Sequence, residues 1–278
     1  MIKICKKTSE LGQIHKTVLK YAIIFSTELN ARMIIGSAQT THQNSITMRP
    51  IGVIHSPYAQ KFAVPRQPGL VRAARATIEL QGAAAHSDSV RGLEQFSHLW
   101  VMFVFHQTQA QGWKPLVRPP RLGGNKKLGV FATRSTFRPN PIGLSVVELE
   151  AVRIDGEQVF IDVIGGDWVN QTPVLDIKPY IPYADAINNA QGGFAQSSPA
   201  TLPTVFSAEA TVQIEALTTK YPQLRLLIEQ VLAQDPRPAY QNTSHDLDKT
   251  YGMTLYDVNI RWQVVNQQNH VISVVKGF

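Results

Sequence analysis

The chain has 278 residues, 44% of them apolar, 8% aromatic and 17% charged. That is enough apolar surface for a sizeable core and too little charge to keep a chain solvated, which excludes intrinsic disorder, a collagen-like repeat and a disulfide scaffold. The formal net charge of +7 is unevenly spread: residues 1–47 carry +4, Arg49 adds +1, residues 61–138 carry twelve bases against three acids, and from residue 139 onward eight bases face fifteen acids. Eight of the twelve bases in the central block are Arg, the side chain suited to bidentate contacts with phosphate or carboxylate. The longest unbroken apolar run, residues 99–105, is far short of the roughly twenty residues of a membrane-spanning helix. The single cysteine, Cys5, leaves no disulfide and no Cys-based zinc site, so a reducing compartment, the cytoplasm, is the simplest expectation.

In chain order, residues 1–47 read as a poorly ordered extension in which a short apolar patch at 21–25 is too brief for a secretory signal. From Arg49 the texture changes to short β-type runs at 51–55, 70–80, 99–106, 128–133, 144–154, 158–164 and 174–180, separated by Gly, Pro and polar breaks. Seven strands without a long amphipathic helix predict a mainly β fold: one antiparallel sheet, closed into a barrel over residues 48–188. The 99–105 run lacks alternation, so both its faces should be covered, one of them by a partner element or a second subunit. Residues 189–205 read as a Gly-, Ser- and Pro-containing linker. Beyond it, apolar residues at helical spacing (Leu224, Leu227, Ile228, Val231, Leu232) precede strands at 253–257, 259–265 and 271–275. Residues 206–278 should therefore form a small α+β domain.

The common catalytic signatures are absent: no phosphate-binding loop, no Gly-x-Gly-x-x-Gly fingerprint, no Gly-x-Ser-x-Gly elbow and no His-Glu-x-x-His. His98 and His106 lack a third ligand, so no metal site is expected. The most informative stretch is residues 134–145, RSTFRPNPIGLS. Pro139 and Pro141 push Arg138 and Asn140 toward extended backbone, which would aim Arg134, Thr136, Arg138 and Asn140 one way as a polar comb suited to an anion. No acid lies between Glu94 and Glu148 to neutralise it. On a strand, Asp176, Lys178 and Tyr180 share a face, with Leu175, Ile177 and Ile181 on the other. That face fits either a polar ligand and proton transfer or a surface ion pair.

The segments IGVIHSPY from Ile51, FAVPRQPGLV from Phe62, GVFATRS from Gly129 on through Ser145, and TPVLDIKPYIPY from Thr172 together resemble the TrmO/TsaA family of tRNA methyltransferases. DPRPAY from Asp235 resembles the C-terminal domain of its bacterial members. The resemblance implies a single-sheeted β-barrel, a homodimer, and S-adenosyl-L-methionine (SAM) as cofactor. It also implies methylation of the exocyclic nitrogen of threonylcarbamoyladenosine beside the anticodon of tRNA. The expected partner is the tRNA anticodon arm, with neither DNA nor a membrane. By the same resemblance, cofactor contacts fall on Pro65, Arg66 and Gln67, His106 and Gln107, Arg134, Leu144, and Val169, Asn170, Gln171 and Thr172. Relatives commonly carry Asp-Gly-Thr where this chain has Asn170-Gln171-Thr172, a difference that matters if the Gly position needs positive φ, which Asn170 would tolerate. Arg138 with Asn140 would anchor the nucleotide, and Asp176 or Tyr180 would assist proton loss. From other classes, a non-catalytic RNA-binding barrel and a dimerisation scaffold both account for the basic block without any cofactor.

Overall fold

The computed structural model describes residues 46–237 and 249–277. Contacts divide the chain into two units, Met1–Met48 and Arg49–Phe278. Apart from Ile46 and Thr47, the expected extension lies outside the described residues, and both sheets discussed below belong to the second unit.

Strands β1 (Gly52–His55), β2 (Arg75–Leu80), β3 (His98–Val104), β6 (Ile142–Asp155), β7 (Gln158–Ile164) and β8 (Thr172–Pro179) close into a barrel of order β1-β2-β7-β6-β3-β8, every pair antiparallel. Alternation explains the closure. Ile54, Ile78, Leu99, Val101, Val147, Ile161, Val163 and Val174 point inward and are at most 2% exposed, each such burial contributing roughly 1.5–3 kcal/mol. Gly156, at φ 59°, opens the two-residue turn between β6 and β7, where a left-handed residue matches the strand twist.

The barrel has six strands rather than the seven expected. Residues 70–74 turn before β2 begins, because Gly69, at positive φ, and the Val71–Ala74 turn occupy that stretch. Of 128–133, only Leu128–Gly129 (β5) is extended, pairing outside the barrel with β4 (Leu116–Val117) before a 3-10 turn over Val130–Ala132. In β3 the inward residues are fully covered, whereas Trp100, Met102 and Val104 on the outer face are half-buried. Trp100 Nε1 donates to Asp185 in the one-turn helix Pro182–Asp185 at 2.9 Å, which gives that face part of its cover.

A second sheet has the order β10-β11-β12-β9, built from Tyr251–Leu255 (β10), Val258–Val265 (β11), Gln268–Lys276 (β12) and Thr204–Phe206 (β9), the last running parallel to β12. β9 begins in the last two residues of the stretch read as linker, and the helix Ala208–Leu217 that follows it does not show in the apolar spacing. Its cap is regular: Ser207 Oγ accepts from Ala210 N at 3.0 Å. The helix Leu224–Ala233 buries Leu224, Leu227, Ile228, Val231 and Leu232, the residues that the spacing singled out. Those side chains share one core with Met253, Leu255, Ile260 and Trp262 and also with Tyr58, Ala63, Val71, Ala73 and Ala74. The segment between β1 and β2 is thus the hydrophobic bridge from barrel to C-terminal sheet, reinforced where Ala73 N donates to Gln230 Oε1 at 2.8 Å.

Candidate active site

Gln67 and Arg134 meet: Arg134 Nη1 donates to Gln67 Oε1 at 2.5 Å. The loop carrying Gln67 is pinned where Gly69 N donates to Gly165 O at 2.8 Å, just after β7 and two residues before Asp167. Asp167 is only partly exposed, and the buried Ser145 donates Oγ to its Oδ1 at 2.6 Å. Burial pushes the Asp167 carboxyl up to about 6, against the Ser145 hydrogen bond and the Arg134 charge, both of which pull it down. An acid, a hydroxyl, a guanidinium and a carboxamide therefore form one polar cluster at a barrel end. The Tyr58 hydroxyl and Trp168 Nε1 are buried with no hydrogen-bond partner among the described residues. The Tyr58 phenol is pushed well up by burial and, next, by the Asp167 charge.

Sequence reasoning missed Asp167 and Ser145. The available signal was an isolated acid between Gly165-Gly166 and Trp168, where an alternating strand runs out. Those two glycines fit close packing: a Cβ on Gly166 would lie 2.4 Å from the Trp168 ring.

The 169–172 turn is stitched to the end of β1 and the residues after it. Ser56 N donates to Asn170 Oδ1 at 3.1 Å, Asn170 N to Tyr58 O at 2.8 Å, and Gln171 N to Ile54 O at 2.7 Å. Thr172, buried, donates Oγ1 to Val169 O at 2.7 Å. The left-handed position is Gln171, at φ 66°, not Asn170. It is the middle position of the turn, so this chain holds a glutamine in backbone that favours glycine, the residue the family resemblance leads one to expect there. The Asn170 carboxamide oxygen accepts from Ser56 N at the position where the family resemblance leads one to expect a carboxylate.

The polar comb expected over residues 134–140 is not built. Arg134 reaches out to Gln67, but Arg138 folds back: its Nη1 donates to Thr133 O at 2.9 Å and Val130 O at 3.4 Å, and its guanidinium lies 5.6 Å from the centre of the Phe131 ring. Arg138 thus ties down the 3-10 turn before it, while Asn140 remains exposed and accepts from Ile142 N through its backbone oxygen. The carbonyls at the end of that turn need donors, and the nearest cation supplies one.

On the outer barrel face, Leu144, Met102 and Asp176 form one row across β6, β3 and β8. Leu144 is 52% exposed. Asp176 pairs with Lys178 at 3.6 Å, and the Tyr180 ring centre lies 6.0 Å from that of Trp100 and 6.3 Å from that of His98. The expected face of Asp176, Lys178 and Tyr180 thus exists. The alternation behind it is broken by a β-bulge beside Leu175, so that Val174 and Ile177, three residues apart, both pack in the barrel core. His106 and Gln107 turn away from the end of β3, where Phe105 N donates to Pro141 O at 2.7 Å. Pro65 and Arg66 line a cavity of about 260 Å³ together with Lys61, Phe62, Val231 and Arg237. The structure therefore joins Gln67 with Arg134, and separately Leu144 with Asp176, and it leaves Arg138 occupied within its own loop.

Comparison with known proteins follows the same segments. The model of the tRNA-methyltransferase O N-terminal domain matches residues 53–186, and that of the TrmO C-terminal domain matches residues 199–277. The tRNA (adenine(37)-N6)-methyltransferase of Escherichia coli (strain K12) is 54% identical over 83% of this chain and 98% of its own. A Pseudomonas aeruginosa protein named "Putative S-adenosylmethionine-dependent methyltransferase RcsF" is 46% identical over 78% of this chain and 91% of its own. The crystal structure of TrmO from Pseudomonas aeruginosa superposes with a TM-score of 0.69 at 38% identity, covering 83% of this chain and 98% of that one. The chain belongs to the tRNA-methyltransferase O family.

Proposed function

We propose that the chain is a SAM-dependent methyltransferase that modifies the exocyclic nitrogen of threonylcarbamoyladenosine beside the anticodon of tRNA. Its likeness along almost the whole length of the Escherichia coli enzyme carries this reading. The donor set at the barrel end fits such a cofactor. Arg134 offers a guanidinium fork to a carboxylate and Gln67 both a donor and an acceptor, while Leu144 presents apolar surface on the outer barrel face. When bound, SAM supplies an electrophilic methyl group for in-line displacement by nitrogen.

The remaining work falls to this chain's residues. Gln67 holds the Arg134 side chain at the barrel end, so that positioning rather than acid chemistry dominates. Arg138, by fixing the turn at 130–133, and Asn140, exposed beside it, anchor the nucleotide. Asp176 and Tyr180, on the outer face with Leu144, are the groups to take up the proton that the purine nitrogen must lose. A homodimer is supported by the apolar surface flanking that face, where Tyr183 is 93% and Ile187 73% exposed; a monomer by sedimentation equilibrium would overturn that assembly. A cytoplasmic site accords with a lone cysteine and a tRNA substrate.

The test is incubation with methyl-labelled SAM and bulk tRNA, followed by nucleoside analysis. Label in the threonylcarbamoyladenosine fraction is expected; label confined to another nucleoside overturns the substrate, and no label overturns the enzyme reading.

A further inference from the structure

Residues 107–141 hold seven bases and no acid. Most form an arm outside the barrel: β4 and β5 pair, Val130 N donates to Pro115 O at 3.0 Å, and Lys114 N donates to Phe137 O at 3.2 Å. Two features set this arm apart. First, none of Lys114, Arg118, Arg121, Lys126, Lys127, Arg134 and Arg138 is in salt-bridge reach of a carboxylate among the described residues. Elsewhere among the described residues Arg72, Arg75, Arg91, Arg153, Lys178, Lys220, Arg225 and Arg237 are paired, and the unpaired Arg49, Lys61, Arg66, Lys249, Arg261 and Lys276 are scattered along the chain rather than gathered in one acid-free segment. Second, the arm exposes large apolar side chains among its cations: Phe131 at 75%, Trp113 at 54% and Leu116 at 55%. Exposed rings beside unpaired cations keep their hydration cost without any return inside the molecule.

We propose that this arm is the surface that grips a single-stranded RNA loop, with Arg118, Lys126 and Lys127 on its phosphates and unstacked bases on the rings of Phe131 and Trp113. The inference rests on the RNA substrate proposed above and adds where that RNA docks. An anionic partner follows from the unpaired charge, and RNA rather than an acidic protein follows from the rings, since every base has a π-face to stack. Arg138, 5.6 Å from the Phe131 ring centre, backs that ring and helps hold it in place.

The experiment measures tRNA affinity against salt for the full chain and for variants at exposed positions of the arm. Phe131→Ala should weaken tRNA binding about 5- to 150-fold, the fold-change equivalent of losing one stacked base, with the salt slope and the KM for SAM unchanged. Phe131→Trp should restore it. Neutralising Arg118, Lys126 and Lys127 together to Gln should flatten the slope of log K against log salt by about 2, as expected when three single-strand phosphate contacts are lost. If the parent chain methylates tRNA while these variants bind it with unchanged affinity and slope, the docking surface is wrong and the enzyme reading stands. If the variants change oligomeric state instead, the patch belongs to a second copy. A parent chain that neither binds nor methylates tRNA overturns both.

Discussion

A carboxyl that ionises near pH 6 in the folded chain and near its ordinary 3.8 in the unfolded one makes folding sensitive to pH. Between those values the folded Asp167 retains a proton that the unfolded chain has released. Its contribution to stability is therefore present at low pH and lost as pH rises through about 6. At pH 7.5 the ionised, partly buried group costs up to about 3 kcal/mol. Asp167→Asn keeps the Ser145 hydrogen bond and removes that cost, so chemical denaturation at pH 7.5 should show equal or higher stability with the pH 4–6 dependence flattened. Asp167 and Arg134 feel each other's charge without a direct ion pair, so in the same variant the KM for SAM should rise by no more than about fivefold, as for a charge interaction of up to about 1 kcal/mol. Gained stability with lost affinity separates a functional acid from a structural one. Gln171 gives a simpler case. Gln171→Gly, which relaxes the φ of 66°, should raise the unfolding free energy by about 1 kcal/mol, read as a higher denaturant midpoint at unchanged m-value; a fall would mean that the exposed Gln171 side chain, 3.3 Å from the His55 ring, matters more than the backbone. Neither position was legible beforehand for its true reason. A carboxyl's burial and a backbone dihedral are set by segments distant in sequence, and the sequence could show only that an acid stood alone and that a glycine position had been replaced.

At the scale of elements, strand alternation was legible wherever one face is buried, as in β6 and β7. It misled where apolar residues serve a loop. Leu128 to Thr133 reads as a strand because Val130 and Phe131 are β-formers, yet Val130 is buried and Phe131 is 75% exposed, the pattern of a turn. The helix Ala208–Leu217 escaped notice because it buries only Ala210 and Ile214, too narrow a stripe to register as a period. β9, of three residues, is fixed by parallel pairing with β12, sixty and more residues away in sequence. The pair β3 and β6 offers the sharpest test of packing. Phe103 lies flat against Gly143, where an added Cβ would come within 2.2 Å of the ring, and the ring meets Trp168 edge to face at 5.9 Å. Gly143→Ala should destabilise the protein by about 1–3 kcal/mol through overpacking, and Phe103→Leu in the same chain should recover part of the loss. Full stability in the single variant would show that the barrel wall yields there.

For the molecule as a whole, the charge of +7 resolves into a basic N-terminal stretch, an unpaired basic arm beside the candidate site, and an acidic remainder in which Glu148, Glu150, Asp162, Asp176, Glu229, Asp235 and Asp257 are in ion pairs. The barrel class and the family segments were legible because each segment repeats a local pattern. The joining of barrel and C-terminal sheet through Tyr58, Ala63, Val71, Ala73 and Ala74 was not, because those residues are small or polar-tipped and show no period. That shared core places the second sheet in one compact unit with the barrel that carries the proposed chemistry. The claim that this unit methylates a threonylcarbamoylated adenosine is tested most directly by single-turnover transfer from labelled SAM to two preparations of one tRNA, with and without the threonylcarbamoyl group. Label should enter only the modified tRNA, at its exocyclic nitrogen; equal labelling of both preparations, or of neither, would contradict it.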